Sequence, residues 1–189
     1  MKKIVTIAAL CCLPLAFAQA DEADMKARAE KSKAAIGEFF GKLKGQLEAG
    51  MKQGGPVNAI QVCNTVAPAL AKETSEKHKM SIARTSLKTR NPNNIPDEWE
   101  TKVLNSFAER KAKGEALDTM AFAEVVESEG KKEYRFMKAI PTGEVCLKCH
   151  GENIDPAVKA KLDALYPDDQ ARGYKLGDLR GAFTIRQPM

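Results

Sequence analysis

Histidine and cysteine are scarce in this chain of 189 residues, which has two histidines and five cysteines. Outside an N-terminal apolar run, only one group of them lies close together, near residue 150, while His78 and Cys63 each stand alone. A structural zinc site needs four such ligands, usually supplied as two pairs. The sequence therefore argues against a zinc-binding module.

Long hydrophobic runs are also missing. Residues 4–17 are largely apolar, follow two lysines and precede two small-x-small patterns that end at Ala18 and Ala20. These features predict a signal peptide over residues 1–20, because the run is too short to span a bilayer. We therefore expect residues 21–189 to form one periplasmic domain with no membrane span.

Internal repeats, low-complexity linkers and any base–nucleophile set are absent from the sequence. The net charge of +5 includes the two lysines of the signal peptide, and both signs are interspersed along the rest of the chain. Such a balance does not indicate a polyanionic partner. We expect a single domain that binds no nucleic acid and is not an enzyme.

The segment from Cys146 to His150 reads C-x-x-C-H, the attachment pattern of a c-type haem. Two thiols at this spacing can each form a thioether with a porphyrin vinyl group, and the histidine offers a ring nitrogen to the iron. A disulfide between Cys146 and Cys149 is the simpler alternative, but it does not need the histidine. The pattern predicts one covalent haem at Cys146 and Cys149, with His150 as an axial ligand.

The order of periodic segments predicts helices first and an antiparallel sheet afterwards. Apolar residues at three- and four-residue steps predict helices over residues 23–52, 57–77 and 97–113. Alternating segments predict strands, and Pro156 begins a short helix; these elements cover residues 80–85, 120–127, 132–140, 155–165 and 179–186. The arrangement is α+β, and we expect the haem between the sheet and the second helix.

Three further residues are candidates for the haem site. Cys63 lies on the apolar face of the second helix, where Pro68 predicts a kink. The position of Cys63 on this face leaves two interpretations open. It is either a small buried thiol or an iron ligand opposite His150. Arg84 and Arg90 give the next loop positive charge, which either faces solvent or binds haem propionates.

Four stretches of the chain together resemble one family. They are Ala59–Asn64 with Ala67-Pro68, Arg84–Ser86 with Arg90–Glu100, Cys146–Gly151, and Gly177-Asp178 with Gly181–Phe183. The family is the exported single-haem c-type domain with a PAS-like fold, which occurs alone or as the sensing part of membrane-bound signalling proteins. The Arg-Asn-Pro-x-Asn-x-Pro stretch followed by Trp-Glu is far more specific than C-x-x-C-H.

The resemblance implies a PAS-like sheet flanked by the N-terminal helices, with Cys63 as the second axial ligand. A methionine such as Met80 or Met137, the imidazole of His78, or an open position remain as alternatives for that ligand. Histidine–thiolate ligation predicts a sensor, because reduction or a gas such as nitric oxide or carbon monoxide can displace the thiolate. Simple electron transfer is the alternative, and either function requires a separate redox or signalling partner.

The mass of the mature protein tests the haem prediction directly. After expression with a cytochrome maturation system, we expect intact mass spectrometry to show the chain of residues 21–189 plus one haem. The haem should remain bound on denaturation, because thioether bonds are covalent. A colourless product with the mass of the polypeptide alone would contradict the interpretation of C-x-x-C-H.

Overall fold

The computed structural model describes residues 14–128 and 130–189, and it describes side chains from residue 21 onward apart from Ser128. The predicted signal peptide therefore falls on residues 1–13, which lie outside the described part, and on residues 14–20, of which only the helical backbone is described. Glu129, in the predicted turn between two strands, also lies outside it. None of the described helices is both long enough and apolar enough to cross a membrane.

The N-terminal helices form as predicted and are interrupted at the predicted position. Helix α1 spans Pro14–Gln61, with non-helical backbone at Gly54 and Gly55. Gly55 has φ +67°, a conformation that glycine adopts without steric cost. On the inner face Ile36 and Phe39 are buried, whereas Phe40 remains 47% exposed and packs edge-on against the ring of Phe183.

A π-helical turn joins α1 to the next helix. It spans Val62–Val66, and α2 follows over Ala67–His78. Pro68 has no N–H to donate to the carbonyl four residues before it. The Ala67 N–H donates instead to the Val62 carbonyl, five residues back, so the predicted kink takes the form of a wider helical turn.

Four antiparallel strands form one sheet in the order β1-β4-β3-β2. Its strands are β1 (Ser81–Thr85), β2 (Ala121–Ser128), β3 (Lys131–Pro141) and β4 (Leu179–Pro188). The remaining helices are α3 (Glu98–Ala112), α4 (Glu144–His150) and α5 (Pro156–Leu165), with 3₁₀ turns at Pro92–Asn94 and Leu117–Thr119. The α+β arrangement is confirmed.

Helices cover both faces of the sheet. Tyr134 and Phe136 of β3 pack with Phe183 of β4 against α1 and α2, as the alternation predicts. The intervening Met137 and Ala139 are also buried, because α3 covers the opposite face. The core on that side also contains Val103, Leu104 and Phe107, the predicted inner residues of α3. Burial on two faces explains why the alternation along β3 is incomplete in the sequence.

Helix α3 is attached to the sheet by a buried charge pair. Asp97 and Glu100 form a capping box at its start, which satisfies two free backbone N–H groups. Glu100 also accepts hydrogen bonds from Arg135 at 3.1 Å and from the Thr184 hydroxyl at 2.8 Å. These contacts fix the position of α3 across β3 and β4.

Glu38 on α1 predicts a specific acid sensitivity. Hydrogen bonds from Lys77, His78 and Lys42 lower the pKa of Glu38 to about 2. Because the folded pKa lies below the ordinary value of 4.5, these contacts stabilise the fold above pH 4.5 and are lost as the pH falls through 2. We expect the Tm of the wild type to fall more steeply than that of Glu38→Gln over this range.

The matched control for this measurement is Glu48→Gln, which removes an exposed carboxylate from the same helix. It should retain the acid-dependent loss of the wild type. Identical pH profiles for the wild type and Glu38→Gln would show that the cluster around Glu38 does not set acid stability.

Candidate functional site

The C-x-x-C-H segment forms a short helix directly after the longest strand. The sequence places the motif at the end of a strand but does not reveal that Glu144–His150 is helical. In this helix Cys146 and Cys149 are three residues apart and therefore share a face. Both are half-buried free thiols. Burial raises the pKa of Cys149, and the nearby Cys63 and Cys146 thiols raise it further against the charge of Arg90.

The ring orientation and tautomer of His150 are fixed by backbone contacts. Its Nδ1 lies 2.7 Å from the Ala171 carbonyl, which can only accept, so Nδ1 carries the proton and Nε2 carries the lone pair. Burial lowers the pKa of His150 well below 6.5, and the charges of Arg180 and Arg90 lower it further. His150 is therefore neutral at neutral pH, in the form that binds a metal through Nε2.

Gly151 lets the chain pass closely over the motif helix. A Cβ at this position would lie 2.6 Å from the Leu147 carbonyl oxygen, so no other residue fits without a backbone shift. The Gly151 carbonyl accepts from the Gly173 N–H, and the His150 carbonyl accepts from the Tyr174 N–H, both at 3.0 Å. These bonds join the helix to residues 166–174, which we call the 166–174 loop.

Arg90, a predicted haem-binding residue, links the motif helix to this loop. Its guanidinium donates to the Cys149 carbonyl at 2.6 Å and to the Ala171 carbonyl at 3.3 Å, and it pairs with Asp169 at 3.0 Å. Burial raises the pKa of Asp169, but hydrogen bonds from Arg90 and Arg172 outweigh burial and lower it. Arg90 thus positions the carbonyl that in turn orients His150.

Cys63 lies in the π-helical turn, on the side that faces the motif. Its thiol is close enough to influence the pKa values of Cys149 and Arg84. The adjacent Asn64 donates to the Tyr166 hydroxyl at 3.1 Å, which ties the turn to the end of α5. The structure therefore places Cys63 in the neighbourhood of Cys149, the second cysteine of the motif.

Arg84 and Arg180 lie beside these groups on neighbouring strands. Arg84 is paired in register with Phe183, so both face α1 and α2. Arg180 donates to the Ser86 hydroxyl at 3.2 Å and points toward His150 Nε2 at 3.5 Å. Arg180 was not predicted from the sequence, although it stands inside the stretch from Gly177 to Phe183 that carries part of the resemblance.

The other ligand candidates occupy different environments. Met137 is fully buried on the sheet face that packs against α3, opposite the face of Arg84. Met80 is buried in the core cluster between the sheet and α1. His78, expected at the surface, is 18% exposed and hydrogen-bonded to Glu38 at 2.9 Å. These positions favour Cys63 over the three alternatives.

The side-chain arrangement does not resemble a site built entirely from protein ligands. Across residues 14–128 and 130–189, no three side chains among His, Cys, Asp and Glu come together as a group that could hold a metal ion. The convergent groups are two adjacent thiols, a third thiol, one neutral imidazole and cationic arginines. This donor set suits a macrocycle that supplies the remaining iron ligands itself.

A surface cleft of about 610 Å³ lies beside Gly173 and Tyr174 of the 166–174 loop. Lys88, Lys111, Asp178 and Tyr174 contribute to its lining. The Tyr174 ring stands edge-on to the His150 ring, with centroids 6.3 Å apart. Tyr174 therefore connects the surface of the cleft with the imidazole.

An antiparallel sheet covered by helices, with a C-x-x-C-H helix at the end of its longest strand, defines an α+β domain of the class expected from the sequence. The chain belongs to the Tll0287-like family, whose model matches residues 16–188. This finding confirms the family resemblance. No curated protein matches the chain.

A solved structure is also similar to this chain. It is the crystal structure of the cyanobacterial heme-protein Tll0287, with a TM-score of 0.66 and 25% sequence identity. The match covers 86% of this chain and 96% of that one. The common fold therefore extends over nearly the whole of that protein.

The variant Arg90→Met tests whether the ion pair between Arg90 and Asp169 stabilises the site. Arg90→Met leaves the buried carboxylate of Asp169, which is 1% exposed, with Arg172 as its only cationic partner. We expect a loss of about 3–5 kcal/mol in the free energy of unfolding, because the change breaks a buried ion pair from one side. Urea denaturation followed by circular dichroism measures this loss.

The control is Lys159→Gln, which removes an exposed ion pair with Asp163 and should leave the urea midpoint nearly unchanged. Equal midpoints for Arg90→Met and Lys159→Gln would rule out a structural role for the Arg90–Asp169 pair.

Proposed function

We propose that the chain is a periplasmic single-haem c-type protein that acts as a sensor of redox state or of a diatomic gas. Cys146 and Cys149 would hold the haem through thioether bonds, and His150 and Cys63 would be its axial ligands. The observation that carries this function is a short helix that presents two free thiols on one face and ends in a histidine whose Nδ1 is held by a backbone carbonyl.

The residues at the site fit a haem in three respects. Nε2 of His150 offers a lone pair, since Nδ1 is held by the Ala171 carbonyl. The two motif thiols are unbonded and share a helix face. Arg84 has no hydrogen-bond or ion-pair partner within the described part of the chain, as expected for a residue that binds an external anion. The similar Tll0287 structure is that of a heme-protein, which supports the same cofactor.

When bound, a haem would supply one-electron redox chemistry and a binding position for a diatomic gas. The protein's residues set which of these takes place. Cys63 would provide a thiolate ligand, and Arg84 lies on the sheet face that packs against α1 and α2. Because a thiolate favours ferric over ferrous iron, Cys63 would be held less firmly in the reduced protein, and a diatomic gas could then compete with it.

The π-helical turn favours the sensor over other functions. A single π turn inside an α-helix is a local irregularity that can rearrange at small cost, and such turns often occur at functional sites. Cys63 lies inside this turn, and Asn64 beside it contacts Tyr166 on another element. Release of Cys63 would therefore change the backbone between α1 and α2, which a partner signalling protein could detect.

Electron transfer is the second candidate function, and one contact favours it. The Tyr174 ring contacts His150 edge-on and also lines the surface cleft. A redox partner that docks there would be separated from the axial histidine by one aromatic ring. In this alternative both axial ligands stay bound while the iron changes oxidation state.

Replacement of Cys63 separates these possibilities. In haem-loaded Cys63→Ser we expect a changed ferric absorption spectrum, because the serine hydroxyl is a weaker ligand than a thiolate. Ferrous wild type should bind carbon monoxide or nitric oxide if it is a sensor. Absorption spectra of the ferric and ferrous forms, with and without gas, measure both effects.

Met80→Leu is the control, because it changes another ligand candidate while keeping an apolar side chain in the core. Its spectra should equal those of the wild type. A ferric spectrum unaffected by Cys63→Ser would eliminate the thiolate ligand, and a ferrous spectrum unaffected by gas would favour electron transfer.

A further inference from the structure

Three arginine side chains surround the histidine of the motif, and they are poorly balanced by negative charge. Arg180 approaches His150 Nε2 at 3.5 Å, and Arg90 donates to the neighbouring Cys149 carbonyl at 2.6 Å. Together with Arg84, these arginines lower the pKa of His150 by their charge. Among the described residues, the carboxylate of Asp169 is the only one that pairs with any of them. Arg84 and Arg180, both half-buried, are therefore left without an acidic partner among the described residues.

Arg90 is not among the arginines that lack an acidic partner. Its side chain is 9% exposed and is occupied by Asp169 and by the Cys149 and Ala171 carbonyls. These contacts hold the protein backbone together around the motif. An added ligand would have to compete with an ion pair that is already buried.

Arg84 has the least satisfied guanidinium of the three. It makes no hydrogen bond and no ion pair within residues 14–128 and 130–189, although burial lowers its pKa. Its strand neighbours direct it to the sheet face that packs on α1 and α2. Cys63 and Tyr166 are the groups whose charges act on it. A half-buried guanidinium that has no partner in the protein is available to bind an anion.

Arg180 has partners, but none of them is an anion. It donates to the Ser86 hydroxyl, lies over the Tyr174 ring at 5.2 Å, and has its closest approach to the imidazole at His150 Nε2. A metal on Nε2 would take the lone pair to which Arg180 points. The Arg180 guanidinium would then keep only the Ser86 hydroxyl and the face of the Tyr174 ring as partners, so it would need a new acceptor.

We propose that Arg84 and Arg180 each bind one of the two carboxylates of a haem, while Arg90 has a purely structural role. Two unbalanced guanidiniums match the two propionates of the cofactor in number and in charge, and arginine is well suited to bidentate binding of a carboxylate. This assignment rests on the proposed haem function. It replaces Arg90 with Arg180 in the pair of residues predicted from the sequence.

The experiment compares Arg84→Met, Arg180→Met and Arg90→Met in the haem-loaded mature protein. Intact mass first establishes that each variant carries covalent haem. We then expect Arg84→Met and Arg180→Met each to lower the reduction potential, because loss of a nearby positive charge stabilises the ferric state. Each should also shift the propionate bending band in the resonance Raman spectrum. Arg90→Met should lower Tm but leave that band in place, since Asp169 already neutralises its charge.

Two controls distinguish this effect from general loss of charge or of folding. Lys175→Met removes a positive charge from a side chain that is 71% exposed, and it should leave both the potential and the band unchanged. Arg84→Lys and Arg180→Lys keep the charge, so they should retain most of the wild-type potential even if the methionine variants fold poorly.

The possible failures can be told apart. A wild-type protein without haem by mass would overturn the proposed function and, with it, this assignment. A haem-loaded protein whose propionate band responds to Arg90→Met, or fails to respond to either Arg84→Met or Arg180→Met, would overturn the assignment alone.

Discussion

The hydrogen bond from His150 Nδ1 to the Ala171 carbonyl is the contact on which the rest of the site depends. It fixes the tautomer, turns the lone pair of Nε2 toward the arginines and joins the motif helix to the 166–174 loop. Arg90 supports this contact, because its guanidinium donates to the Cys149 and Ala171 carbonyls and pairs with Asp169. The orientation of one imidazole is thus set by a charge pair at some distance along the chain.

The second property of the site is an excess of positive charge, which comes from its arginines. Burial and the charges of nearby arginines disfavour the protonated imidazole of His150, and the same arginines attract carboxylates. The same environment is unfavourable as long as no anion is present. A negatively charged cofactor would therefore complete the fold electrostatically as well as provide its chemistry, which links the stability of the domain to its function.

Much of the architecture could be predicted because its signals are local. Gly55 and Pro56 mark a break in the first helix, Asp97 caps α3, and Gly130 belongs to the predicted turn between β2 and β3. The helical state of the motif was missed, because residues 144–150 are too few to show a period. The π-helical turn at Cys63 was also missed, since Pro68 indicates an irregularity but not the form it takes.

The sequence by itself determined which groups carry the chemistry, because C-x-x-C-H brings two thiols and an imidazole together within five residues. Only the tertiary structure decided how they are oriented and what surrounds them. Ala171, Asp169 and Arg180 reach His150 across turns of the chain, and the pairing of β4 between β1 and β3 places Arg180 near Arg84. Such contacts join residues far apart in sequence, and no local pattern encodes which distant residues will meet.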